Sequence, residues 1–167
     1  MKNTIFRGAG VAIVTPINQD NTVNYDRLRE LVDWQISEGT DAIIACGTTG
    51  ESAALSRDEH IKVIETVVQH TNKRVPVIAG TGSNDTNFAA MLSVEAEDLG
   101  ADALLMVTPY YNKTSQAGLI AHYTYVADKV NIPIILYNVP SRTGLCMKPE
   151  TYTELAKHKN IVAVKEA

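Results

Sequence analysis

The chain has 167 residues, 45% apolar and 20% charged, with a formal charge of −4, a composition suited to one globular domain with its own core. The acidic balance argues against a nucleic-acid partner or an anionic membrane surface, since both select basic faces. No stretch reaches the ~18 apolar residues of a membrane span, the N-terminus lacks a signal-peptide core, and Cys46 and Cys146 have neither metal-ligand nor disulfide-framework spacing; we expect a cytoplasmic protein with reduced thiols.

In chain order, the first apolar run is VAIVTP at 11–16, followed by a helical pattern over 25–38 with Leu28, Leu31, Val32 and Ile36 on one stripe and Gly39 as its stop. AIIACG at 42–47 leads to a second helix announced by the capping pair Ser56 and Glu59, with Ile61, Ile64, Val67 and Val68 on its inner face. VIAGTG at 77–82 precedes a helix over about 87–99, and LLMVTP at 104–109 precedes one over about 115–129. IILYNVP at 134–140 follows, then a helix opened by Pro149 and ending near 158, then VAVKEA at the close. The β-branched runs are too short for buried helices and too continuously apolar for half-exposed strands, so they read as parallel strands buried on both faces.

A strand, loop and helix recur every ~30 residues, the size of a β-α-β unit. Two architectures fit: an open doubly wound sheet, or part of a barrel of parallel strands ringed by helices. The first strand lacks the Gly-x-Gly-x-x-Gly turn of a dinucleotide site, which favours the TIM (β/α)8 barrel. Such a barrel takes eight strands and ~250 residues. We therefore expect residues 1–167 to be the N-terminal portion of a single barrel domain, supplying six strands and five helices, without the barrel-closing strands and C-terminal helices.

In a barrel of this kind the active site is built at the carboxyl ends of the strands, and the unusual polar residues fall there. GTTGE follows the second strand, PYYN the fourth, SRTG the fifth, and Lys165 ends the sixth. Each has a plain reading: the Gly-Thr-Thr-Gly stretch as a turn, the tyrosine pair as packing, Arg142 as a solvated loop charge, Lys165 as a side chain snorkelling to water or paired with Glu166. Together they assemble an amine, phenols, hydroxyls and a guanidinium at one end of successive strands.

An amine desolvated in an apolar barrel wall favours its neutral form, which can attack a carbonyl and form a Schiff base. The imine of a 2-oxo acid is an electron sink, so the adjacent carbon can lose a proton and become a nucleophile. A phenol such as Tyr137 can donate and accept the protons involved. Backbone N–H groups and hydroxyls of the threonine turn can hold the acid's carboxylate, and the Arg142 fork matches a second one. The chemistry is carbon–carbon bond formation or cleavage. Because the imine is itself the electron sink, it requires no cofactor and no metal, and His60, His70, His122 and His158 have no metal-ligand spacing.

In order and spacing, VAIVTP, GTTGE, PVIAGTGSN, VTPYYNK, ILYNVPSRTG and VAVKEA resemble the Schiff-base class I aldolases of the dihydrodipicolinate synthase and N-acetylneuraminate lyase family, from about residue 8 to the last. Thr48 before Thr49, and Arg142 within NVPSRTG, are similar to the synthase branch; the lyase branch has a Ser before the Thr and lacks that arginine. The resemblance implies that Lys165 condenses with pyruvate, that Thr48 and Thr49 bind carboxylate and relay protons, and that Tyr137 is the acid/base phenol. It implies that Tyr111 is lent across a subunit interface to complete a relay of Tyr137, Thr49 and Tyr111. Arg142 would grip L-aspartate-4-semialdehyde, giving 4-hydroxy-tetrahydrodipicolinate for lysine and diaminopimelate synthesis, in a homotetramer built as a dimer of dimers.

Lysine-inhibited members of that family have an effector pocket at the dimer interface, and Ser52, Ala53, His60, Asn84 and Tyr110 keep its pattern. Arg57 and Phe88 depart from it: the first stands where a His is frequent, the second where a Glu pairs with the effector's ammonium. Strong lysine feedback is not expected. The family continues past the lysine, so the chain is expected to be the first part of a longer protein, the alternative being a second chain that completes the barrel. Two other readings of function stay open: a different pyruvate-dependent aldolase or dehydratase acting on N-acetylneuraminate or a 2-keto-3-deoxy sugar acid, and an inactive fragment.

Overall fold

The computed structural model describes residues 4–167. Six parallel strands form one sheet in sequential order: β1 Gly10–Ala12, β2 Ala42–Ala45, β3 Val77–Gly80, β4 Ala103–Val107, β5 Ile134–Asn138 and β6 Ile161–Glu166. Between them lie α1 Tyr25–Ser37, α2 Arg57–Thr71, α3 Thr86–Asp98, α4 Gln116–Ala127, α5 Pro140–Thr143 and α6 Pro149–Leu155.

The helix starts follow local chemistry. Asn24, Ser56, Asp85 and Ser115 each accept a hydrogen bond from a backbone N–H three residues on, and Ser56 and Glu59 complete a reciprocal capping box. Pro149 opens α6, where its missing N–H costs no bond. Gly39 and Gly100 follow α1 and α3 with φ of 87° and 91°, a conformation open to glycine without penalty.

The sheet's two faces decide between the two architectures. One face packs Ile43, Ala45, Val77, Ala79, Leu104, Met106, Ile134 and Leu136 against Leu28, Val32, Val63, Ile64, Val67, Leu119 and Tyr123 of the helices. The other gathers Ala42, Ile78, Ala103, Leu105, Ile135, Tyr137 and Val139, with Ile5 and Phe6 beside them and no helical residue. A doubly wound sheet carries helices on both faces and reverses its strand order; sequential order with helices on one side is an arc of a (β/α) barrel, as expected.

Three expectations are revised. The strands are shorter than the apolar runs: each VTP or ACG tail leaves the ladder before its last residues, and β1 stops at Ala12. The segment after β5, read as a loop, contains the short helix α5, started by Pro140 and closed by Gly144 at φ 64°. β6 is not covered on both faces among the described residues: from Ala163 onward it is exposed, with Val164 at 47%, and β5 is the strand it pairs with there.

β6 also departs from regular pairing. Ile134 pairs with Ile161, but the next residue, Ile135, pairs with Ala163. β6 therefore spends one residue more than β5, a bulge at Val162 of the kind that re-aims the side chains beyond it.

Candidate active site

The bulge sets which way Lys165 points. Simple alternation would place Ile161, Ala163 and Lys165 on one face, and Ile161 lies in the helix-facing core. One extra residue flips everything after it. Ala163 and Lys165 come into register with the inward-facing Ile135 and Tyr137, while Val164 and Glu166 pair with Leu136 and Asn138. The Lys165 Nζ accordingly sits 4.3 Å from the centroid of the Tyr137 ring. Tyr137 is buried; Lys165 is exposed. The enclosing apolar wall expected around the amine is absent among the described residues, since no strand flanks the other side of β6.

The threonine turn sits at the carboxyl end of β2. Gly47 is extended and leads into a tight turn at Thr48–Gly50, closed by the Gly50 N–H bonded to the Gly47 carbonyl at 3.0 Å. Thr15, beyond β1, ties the turn down by donating its hydroxyl to the Gly50 carbonyl at 2.7 Å. Both Thr48 and Thr49 are exposed at this end.

Two glycines of β3 and its loop open the space beside the turn. A Cβ on Gly80 would lie 2.1 Å from the Cys46 carbonyl oxygen, and one on Gly82 would lie 2.4 Å from the Val107 nitrogen. The VIAGTG run is thus a place where neighbouring backbones approach closely, and both glycines border the cavities that follow.

A cavity of about 390 Å³ is lined by Thr48, Glu51, Ser52, Gly82, Val107, Tyr110, Val139 and Arg142. A small recess of about 30 Å³ joins Thr48 to Tyr137 across Gly80 and Leu105. Thr48 borders both, linking the guanidinium of Arg142 to the phenol of Tyr137. Arg142 stands in α5, exposed.

Tyr111 is 90% exposed and holds φ at 67°, a strained setting for a bulky residue. Its ring projects away from this chain. Among the described residues no hydrogen bond joins Tyr137, Thr49 and Tyr111, and Thr49 borders neither cavity.

Ser52, Ala53, His60, Asn84 and Tyr110 converge on a third cavity of about 270 Å³, together with Leu55, Asp85, Phe88 and Leu92. His60 is buried, and its Nε2–H donates to the Gly80 carbonyl at 2.8 Å. Burial holds its pKa below the usual imidazole range, partly offset by that bond. Arg57 points elsewhere, paired with Glu95 of α3 and with Asp58.

Sequence reasoning overlooked the group on the outer side of β6. The Glu166 carboxylate accepts from the Asn138 Nδ2 at 2.6 Å and from the Tyr152 hydroxyl at 2.8 Å. Asn138, fully buried, also accepts the Met147 N–H at 3.1 Å. The available signal was the glutamate directly after the lysine in VAVKEA. Among the described residues no three His, Cys, Asp or Glu side chains are grouped to hold a metal ion, and no helix is long and apolar enough to cross a membrane.

Residues 5–167 match the dihydrodipicolinate synthetase family. A 4-hydroxy-tetrahydrodipicolinate synthase of Geobacter metallireducens is 61% identical over 163 residues, which are 98% of this chain and 56% of that protein. The chain superposes with a TM-score of 0.95 on the crystal structure of a chloride-inhibited dihydrodipicolinate synthase from Acinetobacter baumannii complexed with pyruvate, at 51% identity, covering 98% of this chain and 56% of that one. It does so equally, at 40% identity, on the Cyanidioschyzon merolae enzyme with lysine bound, covering 99% and 57%. The chain thus spans little more than half the length of the relatives it matches.

Proposed function

We propose that this chain, which belongs to the dihydrodipicolinate synthetase family, carries the imine-forming site of a 4-hydroxy-tetrahydrodipicolinate synthase. The observation that carries the reading is the Lys165 amine over the Tyr137 ring on the helix-free face of the sheet, at the strand ends where Thr48 and Arg142 border the same cavity. A relative 61% identical bears that enzyme's name, and a structure 51% identical holds pyruvate.

In this reading the neutral Lys165 amine adds to the ketone carbon of pyruvate and water leaves, giving an imine. A proton is removed from the methyl carbon, with Tyr137 as the acid/base group and Thr48 and Thr49 about the carboxylate. The enamine carbon bonds to the aldehyde carbon of L-aspartate-4-semialdehyde, whose oxygen takes a proton while Arg142 grips its carboxylate. The amino group of that substrate then attacks the imine carbon, closing the ring and releasing Lys165. No cofactor enters. The exposed Tyr111 completes the proton relay in a neighbouring subunit of a dimer of dimers, and the protein works in the cytoplasm.

The 270 Å³ cavity is the effector pocket, and Phe88 within it disfavours the ammonium of L-lysine. Borohydride reduction in the presence of pyruvate, followed by peptide mass mapping, tests the reading: a reduced pyruvate adduct is expected on Lys165. A folded protein with no adduct there would overturn it. Turnover of N-acetylneuraminate or 2-keto-3-deoxygluconate in preference to the semialdehyde would reassign the second substrate.

A further inference from the structure

β6 reaches Lys165 in a register that ordinary alternation does not produce. The bulge opposite Ile134 and Ile135 is a local disruption of the ladder, and a slip back by one residue would restore regular pairing while turning Lys165 toward the helices. Something beyond the bulge must hold the shifted register. On the inner face of β6 the contact is that of Lys165 with the Tyr137 ring, while Ala163 and Lys165 are otherwise exposed among the described residues.

The outer face supplies a fastening. Glu166 takes one hydrogen bond on each carboxylate oxygen, from Asn138 of β5 at 2.6 Å and from Tyr152 of α6 at 2.8 Å. Asn138 is itself immobilised: it is completely buried and receives the Met147 N–H at its Oδ1. The backbone continues the pairing, with the Ala167 N–H donating to the Asn138 carbonyl at 3.1 Å. In the unshifted register Glu166 would face inward and lose both side-chain donors, leaving the buried Asn138 amide without its carboxylate.

We infer that Glu166 is a positioning residue, clamped by Asn138 and Tyr152 on the outer face so that Lys165 is presented on the inner one. The inference rests on the proposed imine chemistry only for its consequence on rate; the geometry it describes is independent of any substrate. The carboxylate acts through two acceptor oxygens and takes no part in proton transfer.

The test pairs a spectroscopic reading with a kinetic one on the purified protein. An amine chain held over a phenol ring places the Lys165 ε-methylene protons in the shielding cone of Tyr137, so their NMR signals are shifted upfield. Glu166→Ala is expected to abolish that shift and slow pyruvate trapping about ten- to a hundred-fold, the usual effect of misplacing a reacting group by about 1 Å. Glu166→Gln can still accept from Asn138 and donate to the Tyr152 oxygen, so it should retain most of both signals. Tyr152→Phe, a mild change that keeps the fold, should move both readings in the direction of Glu166→Ala by a smaller step. An unaltered upfield shift in Glu166→Ala, or Glu166→Gln as impaired as Glu166→Ala, would overturn the inference. Absence of trapping in the unsubstituted protein would instead count against the imine reading, while the NMR comparison still decides on the clamp.

Discussion

Lys165 and Tyr137 face each other, Nζ to ring centroid at 4.3 Å, although a regular strand from Ile161 would have sent the lysine to the opposite side of the sheet. The pairing of an exposed amine with a buried phenol joins the edge strand to the recess that also contains Thr48. The remaining features of the site can be tested around it.

Arg142 borders the 390 Å³ cavity from α5, and neither Lys165 nor Tyr137 lines that cavity. Arg142→Ala should therefore leave pyruvate trapping on Lys165 intact and weaken use of the semialdehyde, with kcat/KM lower by roughly ten- to a hundred-fold for loss of a charge-assisted bond worth about 1.5–3 kcal/mol. Steady-state kinetics with each substrate varied in turn checks this. Equal loss of trapping and turnover would contradict the assignment.

The 270 Å³ cavity has Phe88 and Leu92 on its wall, and its buried His60 is engaged with the Gly80 carbonyl. Asp85, the carboxylate that also lines it, accepts the Phe88 N–H as the cap of α3. Isothermal calorimetry is expected to show weak or undetectable L-lysine binding, and Phe88→Glu should strengthen it by supplying the missing anion.

His122 is buried between α4 and α3, its Nδ1 2.8 Å from the Thr86 hydroxyl and its Nε2 without a partner. Burial lowers its pKa to about 4. The unfolded chain, with an ordinary imidazole near 6.5, binds that proton more readily, so its contribution to stability is complete above about pH 6.5. It is lost as the pH falls from there to about 4. Thermal melts across this window should show a decline that is shallower in His122→Gln.

Gly80 lets the chain just after β2 run close beside β3, where a Cβ would meet the Cys46 carbonyl at 2.1 Å. Gly80→Ala forces backbone apart and is expected to cost about 1–3 kcal/mol, read by chemical denaturation. It should also lower pyruvate trapping, because the same displacement reaches the recess beneath Thr48 and Tyr137.

Much of the molecule was legible in its residues. Short β-branched runs at a ~30-residue spacing determine parallel strands alternating with helices, and caps such as Ser56 with Glu59 or Pro149 are local chemistry that needs no distant partner. Thr48, Tyr110, Tyr137, Arg142 and Lys165 could be assigned to one end of the sheet because each follows or ends a strand. Relations between strands were not legible. The close backbone approach at Gly80 depends on the pairing of β2 with β3, and the bulge at Val162 and the contacts of Glu166 with Asn138 and Tyr152 depend on pairing across β5, β6 and α6, which no local pattern encodes. The sequence by itself determined that a lysine stands at the end of the sixth strand; only the tertiary structure decided which face it occupies, because in a strand of period two a single extra residue reverses every side chain that follows.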